Sequence, residues 1–227
     1  MALVDNLLEY WTLDNTRNGT LGAINMSTTG TPAGFTSAII SDGLIFPGVS
    51  GRFNTFSYNT AVPAGTIAFW YKSTGDGTGS FHRVIAKTQV GVTDRIVIGF
   101  NNYGRRPSFN LSDTSIVLEG SDVSTRDVWY HHVITWNGTS IIWYINGVAA
   151  YTVSSSLTLL SNSTAFTVGG WSGNSTQQPA GVIDEMGFWL RALTSGEAAQ
   201  LYNGGAGLTY PFTLDTIRPQ FLGFAGL

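Results

Sequence analysis

The chain has 227 residues, a formal net charge of −3, 11% charged residues, 28 glycines, 13% aromatic residues and no cysteine. Only two of its eleven basic residues are lysines, so it lacks the cationic footprint that a phosphate backbone requires, and nucleic acid is excluded as an expected partner. The missing thiols exclude disulfides, thiolate metal sites and cysteine nucleophiles. No apolar run is long enough to cross a bilayer, and Met1 to Asn6 has neither a basic stretch nor an apolar core, so neither membrane insertion nor a signal peptide is expected.

In chain order, strand signals fall at Leu7 to Leu13, Gly43 to Phe46, Thr66 to Lys72, Arg83 to Lys87, Arg95 to Phe100, Ser115 to Glu119, Trp129 to Trp136, Ser140 to Ile145, Ala149 to Val153, Ala165 to Val168 and Val182 to Leu190. Turn residues separate them, which is the pattern of a two-sheet sandwich in one domain. Asn137-Gly138 and Asn146-Gly147 are hairpin signals, because a two-residue turn matching strand twist needs positive φ at both centres. They predict a three-stranded meander. After the last strand, Thr194 and Glu197 form a capping box that opens a helix of about two turns, and Gly204-Gly205 ends it. Beyond Pro211 the segment 212–227 carries Phe212, Phe221, Leu222 and Phe224, too apolar for a solvated tail. It is expected to pack on the domain or on a neighbouring subunit, the latter giving a homo-oligomer.

The run Gly181-Val182-Ile183-Asp184-Glu185, the pair Phe188-Trp189, Arg191-Ala192-Leu193-Thr194, Glu197 and Leu201-Tyr202 resembles the closing signature of laminin G-like, concanavalin A-like jelly-roll domains. Trp129-Tyr130-His131-His132-Val133, Trp136-Asn137-Gly138 and Trp143-Tyr144-Ile145-Asn146-Gly147 resemble the paired central strands of that family. Leu8-Glu9-Tyr10-Trp11-Thr12-Leu13-Asp14 resembles its opening strand. The resemblance implies an all-β fold, a two-sheet antiparallel jelly-roll sandwich over residues 1–211 with one short C-terminal helix.

That fold hosts both binders and glycosidases. Glycoside hydrolysis needs two carboxyl groups facing one cleft. No acidic pair occurs at i, i+2 in the chain, and the adjacent pair Asp184-Glu185 is expected to point to opposite faces of its strand, so no enzyme is expected. His131 and His132 diverge on the same reasoning, and His82 is the only other histidine, so no histidine metal site is expected. The resemblance implies a structural calcium ion instead, with Asp14 and Asp184 at the positions of the family's carboxylate ligands. Phe46-Pro47-Gly48 departs from the Phe-Asp-Gly that the family often has there.

Trp11, Trp70, Trp129, Trp136, Trp143 and Trp189 lie in strands and are expected in the core. Trp171 and Tyr103 lie instead in polar, Gly-rich loops, where an aromatic ring can stack on a sugar while Arg105 and Asn174 bond its hydroxyls. The six Asn-x-Ser/Thr sequons follow from a composition rich in Asn, Ser and Thr and carry no message about secretion.

The expected function is a non-catalytic recognition or adhesion module that binds a glycan or a protein surface. The stretch Leu201 to Pro211 is similar to the ends of laminin G-like domains in environmental bacterial surface proteins and tailed-phage structural proteins. This implies a virion surface or decoration protein, or another extracellular setting, with capsid or tail subunits as partners. The alternatives are an architectural virion subunit without ligand, and a secreted lectin module from a larger adhesin or glycosidase.

Overall fold

A computed structural model describes residues 2–30, 34–49, 53–77, 79–87, 96–110, 116–122, 124–155, 157, 159, 164–170 and 177–213. Among these residues, strands β1 (Leu7–Trp11), β2 (Ser27–Thr29), β3 (Phe35–Ser37), β4 (Asp42–Pro47), β5 (Phe53–Phe56), β6 (Gly65–Ser73), β7 (His82–Lys87) and β8 (Ile96–Phe100) form the first half of the fold. A single helical turn, α1 (Asn101–Gly104), leads into β9 (Arg106–Asn110) and β10 (Ile116–Glu119). The second half comprises β11 (Tyr130–Trp136), β12 (Ser140–Ile145), β13 (Val148–Ser154), β14 (Phe166–Val168), β15 (Ala180–Trp189) and helix α2 (Ser195–Tyr202).

The strands make two antiparallel sheets. One runs β13-β12-β11-β6-β15-β4-β3, with β1 also paired to β15, and the other runs β10-β9-β8-β7-β14-β5-β2. This is the expected jelly-roll sandwich. Its core is aromatic: Trp11, Phe46, Phe56, Phe69, Phe100, Phe109, Trp136, Trp143, Phe166 and Phe188 meet between the sheets. Period-2 alternation places them there. On β6, Ile67, Phe69 and Tyr71 face the core, while Ala68 joins a second apolar cluster on the outer face with Tyr10, Val133, Trp189, Leu193, Ala198, Leu201 and Leu208. A strand buried on both faces reads as an almost unbroken apolar run, as β6 does.

Helix α2 covers that outer face. The Thr194 hydroxyl accepts from the Glu197 N–H while the Glu197 carboxylate accepts from the Thr194 N–H, so the capping box is present as expected. The helix ends at Tyr202, two residues before Gly204, because Asn203 itself takes the left-handed conformation at φ 49°. Phe212 packs against Tyr10, Trp189 and Tyr210 beyond it. Residues 214–227, which hold the rest of the expected tail, lie outside the described residues.

Several local readings are corrected. Strands β2, β3, β5 and β9 are short and largely polar, and Pro107 sits in β9, so neither length nor alternation marked them. The Asn146-Gly147 turn has positive φ at both centres, 51° and 78°, whereas at 137–138 only Gly138 does. There the Asn137 carboxamide oxygen accepts from the Thr139 and Ser140 N–H groups, and the turn is longer by one residue.

Candidate functional site

Three connections meet at one end of the sandwich: the β6–β7 link, the α1 turn and the β10–β11 link. The last two enclose an open cleft of ≈ 450 Å³ lined by Arg105, Ser124, Thr125 and Arg126. Backbone bonds hold its walls together. The Ser124 N–H donates to the Arg105 carbonyl at 3.2 Å, the Ser124 hydroxyl faces the Gly104 and Arg105 carbonyls at 3.0 and 2.9 Å, and the Asp127 N–H donates to the Ser73 carbonyl at 2.8 Å.

The guanidinium of Arg105 is fixed locally. Its Nε donates to the Asn102 carbonyl at 3.2 Å and its Nη2 to the Asn102 side-chain oxygen at 3.0 Å. The other arginines of this end are paired: Arg106 with Glu119 at 3.5 Å and Asp122 at 3.1 Å, and Arg126 with Asp76. His82 lies against Gly104 of α1. It is fully buried, its Nε2 lies 2.8 Å from the Asp76 carbonyl, and burial lowers it to about 4, so it is neutral at ordinary pH. Gly104, at φ 87°, closes over it, and a methyl group there would stand 2.8 Å from the His82 Nδ1 and 2.5 Å from the Ser73 hydroxyl. Only glycine admits this approach.

Of the ligand residues expected from the sequence, Arg105 lines the cleft. Tyr103 has its backbone in α1, but its side chain, like the whole of Trp171 and Asn174, lies outside the described residues. Ser124, Thr125 and Arg126 were not anticipated. The signal was a Ser/Thr/Asp turn ahead of Trp129, which reads equally well as a plain connection.

The acidic residues bring a correction. Ile183, Met186 and Phe188 all belong to the inter-sheet core, so Asp184 and Glu185 lie together between inward-facing neighbours. The register of β15 against β6 shifts between Asp184 and Gly187, and Glu185 takes φ 48°. This is a β-bulge, and it turns both carboxylates to the outer face instead of opposite faces. Neither is accessible: Asp184 is 0% and Glu185 2% exposed. Asp184 accepts from the Ile40 N–H at 3.1 Å and the Glu185 N–H at 2.9 Å. Burial pushes Asp184 up to about 7, and the nearby negative charge of Asp14 adds to the rise. Burial likewise pushes Glu185 up to about 8, although Tyr10 and Thr209 beside it moderate the effect. Among the described residues neither Glu185 oxygen makes a hydrogen bond of normal length.

Asp14 and Asp184 are therefore electrostatic neighbours, but each is already engaged by the main chain, Asp14 through the Asp42 N–H at 3.1 Å. Among the described residues no three of His, Cys, Asp and Glu converge as a metal cluster. A calcium ion needs six to eight oxygens, so most of its ligands here would come from main-chain carbonyls. His131 and His132 do diverge. His132 accepts from the Trp143 Nε1 at 3.2 Å in the core, and His131 stacks near Trp70 and Tyr202 on the outer face, and burial lowers both to about 3.

No curated protein sequence matches the chain. Among solved structures, domain 4 of AbnA, an extracellular arabinanase of Geobacillus stearothermophilus solved with arabinotriose, is similar at 14% identity and TM-score 0.67, covering 86% of this chain and 97% of that one. The binding domain of Paraclostridial Mosquitocidal Protein 1 is similar at 16% identity and TM-score 0.71, covering 88% of this chain and 52% of that one. Trypanosoma rangeli sialidase is similar at 13% identity and TM-score 0.68, covering 90% of this chain and 34% of that one. The chain thus spans about half of the second protein and a third of the third. These likenesses show a shared fold. The family model of the concanavalin A-like lectin/glucanases superfamily matches residues 48–199, most of the sandwich, and the chain belongs to that family.

Proposed function

We propose that the chain is a non-catalytic glycan-binding module and that the cleft beside Arg105 is its site. The observation that carries this reading is a concave surface, made of loops on a rigid sandwich, in which a guanidinium is held in place before any ligand arrives. It is supported by a similar domain whose structure was solved with arabinotriose. Catalysis is set aside on a different ground from the one the sequence suggested. The two adjacent carboxylates share a face, yet they are sealed from any substrate.

A glycan array tests the reading. Binding to a defined sugar that weakens about tenfold or more in Arg105→Ala, with an unchanged melting curve, is the expected outcome. An array with no reproducible binder would favour the architectural reading instead.

The finer reading, a virion surface or decoration protein in contact with capsid or tail subunits, rests on the likeness of Leu201 to Pro211 to phage structural proteins. Labelling of intact particles with an antibody to the chain would test it, and unlabelled particles would remove it. We further propose that calcium binds at Asp14 and Asp184 with main-chain carbonyls. Binding to the folded state alone raises stability by mass action, so millimolar calcium is expected to raise the melting temperature over that in chelator, and Asp184→Asn to abolish the difference. Superimposable curves for the native chain in calcium and in chelator would dismiss the ion.

A further inference from the structure

We infer that the Arg105 cleft selects an anionic sugar, gripping a carboxylate or sulfate group between the guanidinium groups of Arg105 and Arg126. This rests on the glycan-binding reading above and names the substrate class for the same site. Four residues line the cleft, two arginines and two hydroxyl residues, and none of the four is a carboxylate. The two guanidiniums stand together on one small surface, Asp76 pairing with Arg126 while Glu119 and Asp122 pair with the neighbouring Arg106.

The two arginines are not equivalent. Among the described residues Arg105 forms no ion pair, and Asn102 holds it through Nε and one terminal nitrogen, which leaves the other terminal nitrogen without a bond. Arg126 is paired to Asp76, but both side chains are well exposed, at 43% and 60%. An exposed pair of this kind contributes little, so an incoming anion can take over Arg126 at small cost. A guanidinium presents a planar fork that matches a carboxylate or a sulfate oxygen pair, and the Ser124 and Thr125 side chains lie beside it for the ring hydroxyls. Arg106, one residue on, is paired with Glu119 and Asp122 and does not line the cleft.

The experiment titrates the intact chain with four probes: trigalacturonate, which carries carboxylates only; a κ-carrageenan tetrasaccharide, which carries sulfate esters only; a neutral galactan tetrasaccharide; and hexaglutamate. One or both acidic sugars are expected to bind at least tenfold more tightly than the neutral one, and the arm that binds identifies the anion. Arg105→Gln is expected to erase that preference, Arg105→Lys to weaken it because the fork is lost, and Asp76→Asn to strengthen it by releasing Arg126. Melting curves of the Arg105 variants should match the native chain, since the Arg105 side chain bonds only to Asn102 in its own turn.

Equal binding of neutral and acidic sugars, or a preference that survives Arg105→Gln, overturns the anionic selection and leaves the glycan-binding reading in place. Hexaglutamate binding as tightly as the acidic sugars overturns it as well, because charge alone would then suffice. Failure of all four probes overturns it too, while the array result remains the separate judge of glycan binding.

Discussion

Arg191→Ala is expected to destabilise the fold by about 3 to 5 kcal/mol, the range for breaking one side of a buried ion pair. Arg191 meets Glu197 in a two-pronged contact, Nη1 to Oε2 at 2.9 Å and Nη2 to Oε1 at 2.6 Å, with side-chain exposures of 10% and 7%. Its Nε also donates to the Asp5 carbonyl and its Nη2 to the Ala2 carbonyl, so one side chain ties the start of the chain to the cap of α2. Truncation leaves the Glu197 carboxylate buried with only Thr194 for company and frees the N-terminal segment. Urea unfolding of Arg191→Ala, Glu197→Gln and the double variant measures the coupling. A loss below about 1 kcal/mol in Arg191→Ala would show the pair to be incidental.

The second large effect is a loss of stability above neutral pH. Asp184 and Glu185 are raised to about 7 and about 8, chiefly by burial. A carboxyl raised on folding holds a proton that the unfolded chain has released, so the contribution of this pair falls as pH rises from about 4 toward 8. Glu197 runs the other way. Burial raises it, but Arg191 and Thr194 outweigh burial and hold it at about 2, so its contribution is lost as pH falls from about 4.5. The buried neutral histidines His82, His131 and His132, lowered to about 4, 3 and 3, also lose stability as pH falls below about 6.5, so the stability maximum in chelator lies at about pH 6 to 7, with a decline of a few kcal/mol by pH 8. Glu185→Gln should flatten much of that decline and be more stable than the native chain at pH 8. A native chain more stable at pH 8 than at pH 6.5 in chelator would refute the assignment.

Much of the fold was legible because its strands are buried on both faces or alternate cleanly. Thr66 to Lys72, Trp129 to Trp136 and Val182 to Leu190 are such runs, and the structure extends or trims them by only a residue or two. Thr194 and Glu197 announced the helix because a capping box is a local event. What escaped was decided at a distance. Glu9, in the opening strand, is fully buried and accepts from the N–H groups of Tyr10, Leu21, Ala23 and Ile24, which shapes the 15–25 loop. Its neighbours in sequence, Leu8 and Tyr10, say nothing of partners a dozen residues on. The bulge at Glu185 broke the alternation rule at the one place where two carboxylates stand side by side in the chain. The cleft was half legible: Arg105 stood out in a polar turn, whereas Ser124, Thr125 and Arg126 come together with it only through the meeting of two connections.

The two ends of the described fold share one partner. The indole nitrogen of Trp189 donates to the Leu3 carbonyl at 2.7 Å, and its ring lies 6.2 Å from that of Phe212. Circular permutation of the sandwich is therefore practical: a short Gly/Ser linker can join the region of Phe212 to that of Leu3 on the outer face. New ends can then be cut at Asn137-Gly138, an exposed turn between two strands that pair in register on either side of it. Such a chain would keep every strand partner while moving both ends to the hairpin turn, so that surface display would tether the sandwich by that turn.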